Sequence, residues 1–302
     1  MSGRALTFAL AALFAAPAAL ADTAAVQRTW LERVAISAAD KSCNLFSEGE
    51  RLALQSGIYQ AEGELLRANK TSAEMEKLAA EVTAHARSLG CAHPSVVEVA
   101  ATIRSSYRQF AKTSYLEYPA ARSTWGASRS EHDRWAVSQT DKLTNVVLGM
   151  RRTKDTDVIR LAISMPAKGM EPSSVQLVLR DPAKMPEPWF GSIAGQTKEL
   201  SAAPRSIAKV EWAGEIRKGK DAVGDPIWIF YFSAAAIAHL EALDPREAVR
   251  LDFVPSQRAK DQKVKSVSFE VGDFRAAVAF AQIPPPEYPA PQETAAAAPA
   301  AH

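Results

Sequence analysis

Cys43 and Cys91 are the only cysteines in the 302-residue chain, and they bracket a pair of helical patterns of nearly equal length. No other feature restricts the fold so strongly. From Ser47 to Ala68 the residues Leu54, Ile58, Ala61, Leu65 and Ala68 recur at alternating spacings of four and three, which puts them on one helix face. Glu48, Glu50, Glu62 and Glu64 are then left for the water side. Thr71 with Glu74 reads as a capping box opening a second helix, with Met75, Leu78, Val82, His85 and Leu89 as its stripe. Gly90 is placed to end that helix as a left-handed C-cap. Asn69-Lys70 is too short a connection for anything but antiparallel neighbours, so the two cysteines meet at the open end of a helical hairpin. A disulfide closing this loop would restrict the unfolded chain by about 4 kcal/mol on the loop-entropy account. The other reading of the same end is a zinc or copper site, with both thiolates and the imidazoles of His85 and His93 as ligands. Cys91-Ala92-His93 lacks the paired Cys-x-x-Cys spacing that marks such sites, so the disulfide is preferred and no metal is expected.

The first residues bear on the same choice. Arg4, an apolar run from Leu6 to Leu20, and Ala19-Leu20-Ala21 before Asp22 have the form of a secretory signal peptide cleaved after Ala21. Disulfides persist outside the cytosol, and the Ala-rich leader looks bacterial, so a periplasmic location is expected. No later stretch is long and apolar enough for a membrane-spanning helix. A net charge of +2 gives no footprint for nucleic acid. Asn69-Lys70-Thr71 matches a glycosylation sequon but is read as the helix turn and cap.

Taken in order, Val26, Trp30 and Val34 suggest a first helix across the hairpin. Ser95, after Pro94, can cap a helix with the stripe Val96, Ala100, Ile103, Tyr107, Phe110 and Ser114. Arg104, Arg108 and Lys112 form a basic ridge on its water side, either a solvated face or a dock for an acidic partner. Pro119 closes the helical half. Beyond it the period becomes two. Strands are expected at Leu143–Leu148, Val158–Met165, Val175–Leu179, Lys209–Ile216, Ile227–Phe232, Val249–Val254 and Val264–Val271, the fifth apolar throughout and so covered on both faces. Short helices are expected at Ser233–Leu243 and Phe274–Ala281. The fold class is therefore α+β: a helical bundle with a stapled hairpin, then a mainly antiparallel sheet or sandwich with two short helices. The divisions are residues 1–21, a signal peptide; 22–120, helical; 121–140, a connector; 141–283, β-rich; and 284–302, a disordered Pro/Ala-rich tail.

Arg122 to Trp135 is the densest mixture of aromatic, basic and titratable side chains. Trp125 and Trp135 could stack on a sugar ring, with Arg122, Arg129 and Arg134 gripping a carboxylate or phosphate and His132 transferring protons; alternatively the tryptophans plug a seam between domains. Residues 181–205 make a long loop whose Trp189-Phe190 pair is either a partner-binding knob or a pin holding the loop down. Ser206-Ile-Ala-Lys209 has the Ser-x-x-Lys spacing of penicillin-binding enzymes, but it opens a strand pattern, where the two side chains diverge, and no companion motif follows. No other catalytic signature is present, and no cofactor is expected.

Val267-Ser-Phe-Glu-Val-Gly-Asp-Phe-Arg-Ala-Ala resembles the strand, Gly-Phe and Ala-rich helix that end exported proteins of the invasion-associated locus B family. The resemblance covers roughly the last forty folded residues, with Asp273 interrupting the Gly-Phe pair. It implies a way of ending the fold, and no site residue or role in invasion is carried over. The sequence thus points to a protein that binds another envelope protein, through Trp189-Phe190 or the basic ridge, rather than catalysing. The alternative is an enzyme or binding protein that takes a cell-wall or sugar ligand at Arg122–Trp135.

Overall fold

The computed structural model describes residues 23–130, 135–153, 156–168, 172–190, 201–221, 223–256 and 263–284. The expected signal peptide lies outside these residues, as does the expected tail beyond Pro284. Four helices come first: α1 (Thr23–Cys43), α2 (Glu48–Arg67), α3 (Ser72–Ser88) and α4 (Pro94–Phe110). Both α2 and α3 begin with reciprocal capping boxes, Ser47 with Glu50 and Thr71 with Glu74, so two orphan N–H groups are satisfied at each start. Asn69 takes the left-handed conformation (φ 68°) that reverses the chain between them. Cys43, the last residue of α1, is bonded to Cys91 in the turn after α3, with the Cα atoms 5.5 Å apart. Each sulfur is thus committed to the other, and the alternative metal site loses its thiolates.

Several local expectations at this end are corrected. His85 is exposed and Ala86 takes its place in the buried stripe with Met75, because a helix drifts off a strict three-four alternation within a few turns. Leu89 in an extended conformation ends α3, and Gly90 does not adopt positive φ. His93 stands at the N-cap of α4, with Pro94 at the first helical position where its missing donor costs nothing. Glu62 is half-buried beside Arg275 rather than facing water, and burial raises its carboxyl pKa.

The strands form two antiparallel sheets. The larger has the order β1 (Tyr115–Pro119), β2 (Thr124–Arg129), β3 (Trp135–Asp141), β4 (Val146–Thr153), β5 (Thr156–Pro166), β9 (Pro226–Tyr231), β8 (Glu215–Lys220). The smaller has the order β11 (Lys265–Glu270), β10 (Ala248–Pro255), β6 (Pro172–Arg180), β7 (Ala208–Trp212). Inward residues of both interdigitate: Trp125, Val137, Leu148, Leu161 and Ile163 from one, Val175, Leu177, Leu251 and Phe253 from the other, all essentially inaccessible. Residues 121–140 are not a connector, since they supply two neighbouring strands of the larger sheet.

The single strand expected over 209–216 is two. At Ala213-Gly214 the chain leaves one sheet for the other, Ala213 N–H donating to Val175 O and Gly214 N–H to Tyr231 O. The apolar run in β9 is covered on one side by the core and on the other by cationic stems, with Lys218 Nζ 4.7 Å from the Trp228 ring and Arg217 over Tyr231. It is therefore only half-buried.

Two short helices, α5 (Ala234–Glu241) and α6 (Phe274–Ala281), fall where the apolar runs place them. Helix α6 joins the two halves. Phe274 packs on Trp125 (4.8 Å between ring centroids) and Phe280 on Phe110 (5.4 Å). Ser56 of α2 donates to Ala276 O at 2.9 Å and bonds Tyr118 OH. Arg67 grips Asp273, the N-cap residue of α6, through two bonds of 2.7 and 2.9 Å.

Candidate binding groove

The alternation of β2 and β3 sorts the segment that looked most suited to ligands. Trp125 and Trp135 point inward. Trp125 is fully buried, its indole N–H shared between Glu270 O and Val271 O, so no face is left for a sugar. Arg129 also points inward, 8% exposed. Its guanidinium donates to the carbonyls of Phe110, Ala111 and Thr113 at the end of α4 and of Ile283 and Pro284 beyond α6, while lying 5.0 Å over the Phe280 ring. A cation suits the C-terminal ends of two helices, where unpaired carbonyls converge. Burial lowers its pKa. Arg122 reaches the rim, with its backbone N–H bonded to the Glu270 carboxylate. His132 and Arg134 lie outside the described residues.

The expected partner-binding residues are dispersed. Trp189 packs on a small cluster of Val178, Ala203 and Ala208, which favours the pinning reading for that ring. Phe190 is 53% exposed, under the Arg246 guanidinium. Arg104, Arg108 and Lys112 do form an exposed ridge on α4 and beyond it, although Arg104 also donates to Leu45 O and lies over Phe46.

What the outward positions of the same segment make is a groove of about 1020 Å³. Its floor is the solvent face of β1–β3, carrying Tyr115, Thr124, Gly126, Ser128, Ala136 and Ser138. One wall is the β3–β4 turn, held by Asp141, which accepts from Thr144 N–H and Oγ1. The other is β11, the edge of the smaller sheet. A smaller extension of about 480 Å³ follows β11 past Thr144 to Lys168 and Lys265.

Strand geometry fixes what β11 shows to this space. Val271 N–H donates to Glu247 O on the β10 side, whereas Glu270 N–H donates to Gln139 Oε1 and Glu270 O accepts from Gln139 Nε2 on the other. In an antiparallel ladder the backbone groups of alternate residues point the same way, so those of Ser268 and Ser266 also point away from β10. Among the described residues no backbone hydrogen bond reaches them. The Gln139 amide stands in for one residue of a missing neighbour strand and then the edge is open. Sequence reasoning missed this because an edge is a property of strand order. Only the small polar residues at 124, 126, 128 and 138, all on one face, were there to be noticed.

A second group of polar side chains lies beyond the groove. Lys209 Nζ is 2.7 Å from His239 Nε2, and Glu211 Oε1 is 2.9 Å from His239 Nδ1 but off the line of its N–H. The amine of the Ser-x-x-Lys match is thus engaged by an imidazole. Ser206 sits exposed in the preceding turn.

No family model, curated protein or solved structure matches this chain. Among the described residues no helix is long and apolar enough to cross a membrane.

Proposed function

We propose that this protein is exported to the periplasm and holds another envelope protein in the groove beside β11, without catalysing a reaction. The observation that carries the reading is a strand edge, unpaired among the described residues, that opens into a groove of about 1020 Å³. Unpaired edges invite another chain and are usually blunted. Here β8 carries Arg217, Lys218 and Lys220, and β1 and β7 are only five residues long, so β11 is the edge with room beside it. A disulfide suits an oxidising compartment, as does the leader-like first segment. The ending that resembles exported proteins of the invasion-associated locus B family agrees with this.

The test is site-specific photo-cross-linking in intact cells. A cross-linking residue replacing Leu143 on the groove wall should give one defined adduct with an envelope protein, and the same residue replacing the exposed Arg87 on α3 should not. Equal adducts at both sites, or none at the groove, would count against the reading. Cell fractionation with N-terminal sequencing should find the mature protein in the periplasm beginning at Asp22.

A second reading rests on the floor itself. Hydroxyls at 124, 128 and 138 beside the half-exposed ring of Tyr115 could seat a glycan strand. Binding of soluble cell-wall fragments that is lost in Tyr115→Ala, with no protein adduct, would select it.

A further inference from the structure

We infer that the groove takes its partner as an extended acidic segment, alternating apolar and carboxylate side chains, which adds to β11 as a fifth strand of the smaller sheet. This rests on the binding reading above and specifies its chemistry. Main-chain groups of Ser266 and Ser268 supply donors and acceptors of a ladder on the side away from β10, and affinity in strand addition comes chiefly from such groups. Gln139 closes the ladder at Glu270, which limits the added strand to the half of β11 toward Lys265 and sets its register.

That half of the groove is positively charged. Among the described residues its extension is lined by Lys168 and Lys265 with no carboxylate, and Lys142 stands exposed on the turn opposite. The acidic groups elsewhere in the groove are engaged: Asp141 in its turn, Glu270 by Arg122 N–H and Ser123 Oγ, Glu117 by Tyr115 OH. Two large apolar side chains flank the open stretch, Leu143 at 93% exposure and Val264 at 52%. Alternate residues of an extended strand point to opposite sides, so a segment whose carboxylates meet the lysines would turn its apolar residues toward one flank. The lysines select for acidic chains and against basic ones, while the backbone pairing requires only that the segment be extended.

The experiment uses the full mature chain and two labelled ten-residue peptides, one alternating valine with glutamate and one alternating valine with lysine, followed by fluorescence anisotropy. The glutamate peptide should bind and the lysine peptide should bind at least about tenfold more weakly. Ser268→Pro removes an N–H that points into the groove and leaves the β10 ladder intact, so it should weaken the glutamate peptide by about tenfold or more, whereas Ser268→Ala should not. Should Ser268→Pro fail to fold, the triple substitution Lys142→Glu, Lys168→Glu, Lys265→Glu alters only exposed side chains and should reverse the preference between the peptides. No binding of the glutamate peptide, or equal binding by Ser268→Pro or by both peptides, overturns the inference. So does a dimer that Ser268→Pro renders monomeric, which assigns the edge to a second copy. Binding that appears only after removal of residues 285–302 also overturns it, assigning the edge to the chain's own end. The photo-cross-linking at position 143 separates the two levels: an adduct in the otherwise unaltered chain, together with peptide binding that Ser268→Pro leaves unchanged, keeps the groove as a binding site and removes only strand addition, whereas no adduct in the otherwise unaltered chain removes both.

Discussion

Arg129 shows how a single side chain can be misassigned when only its neighbours in sequence are known. A guanidinium between tryptophans and a histidine has the composition of a ligand grip, but its five donors meet carbonyls at the ends of α4 and α6. Arg129→Met should lower stability by about 3 kcal/mol, since it strands several buried acceptors, and Arg129→Lys should recover only part because one ammonium cannot serve both helix ends. Urea unfolding midpoints would measure this. Asp273 behaves differently. Burial, opposed by the paired Arg67, raises its carboxyl from the usual 3.8 to about 6. The folded state therefore holds that proton more tightly than the unfolded chain, and the stability linked to it is complete below about pH 4 and lost as pH rises through about 6. Asp273→Asn should flatten the pH dependence of the thermal midpoint across that window, whereas an unchanged slope would assign it to other groups.

At the scale of elements, most of the chain was legible wherever one face is buried and the other wet. The Thr71–Glu74 capping box, the cysteine pairing and the alternation in β4 and β5 carry such a local signature, whereas β6, β10 and β11 were found as short apolar stretches without a clean wet face. Strands β1, β2 and β3 did not, because Gly126, Ser128, Ala136 and Ser138 dilute their outward face and Arg129 and Gln139 are polar residues pointing in. The division between β7 and β8 was hidden because Ala213-Gly214 continues the alternation while the backbone changes sheets. Contacts between elements also reverse simple expectations. Gly63→Ala should help an isolated helix by about 1 kcal/mol, but a Cβ there would lie 1.9 Å from Asp273 Oδ1. A net loss of about 2 kcal/mol in thermal unfolding is expected, and it should vanish in an Asp273→Ser background where the obstructing carboxylate is gone. Cys43→Ser with Cys91→Ser should cost about 2–4 kcal/mol. Hydrogen exchange should speed up at the junction of α1 and α3 and change little in β4 and β5.

For the molecule as a whole, the helices keep an apolar cluster of their own around Trp30, Ile36 and Leu65, but the core of the sheets reaches into the helical half. Phe110 and Ala53 from the helices belong to the same apolar cluster as Leu148 and Phe253 from the sheets, with α6 between them. Unfolding should therefore appear in calorimetry as one transition, and two resolved peaks would show that the halves are independent. The groove, by contrast, could not be read in advance. It depends on which strand ends each sheet and on a glutamine filling one register position, neither of which leaves a periodic trace.

The helix that closes the interior is also the last of the described helices to be synthesised. Until residues 274–284 are available, Trp125 and Phe110 lack the rings they pack against and Arg129 lacks two of its five acceptors. A polypeptide whose fastening helix follows everything it fastens stays pliable until that helix is made. On the export proposed above, that delay would keep the chain threadable.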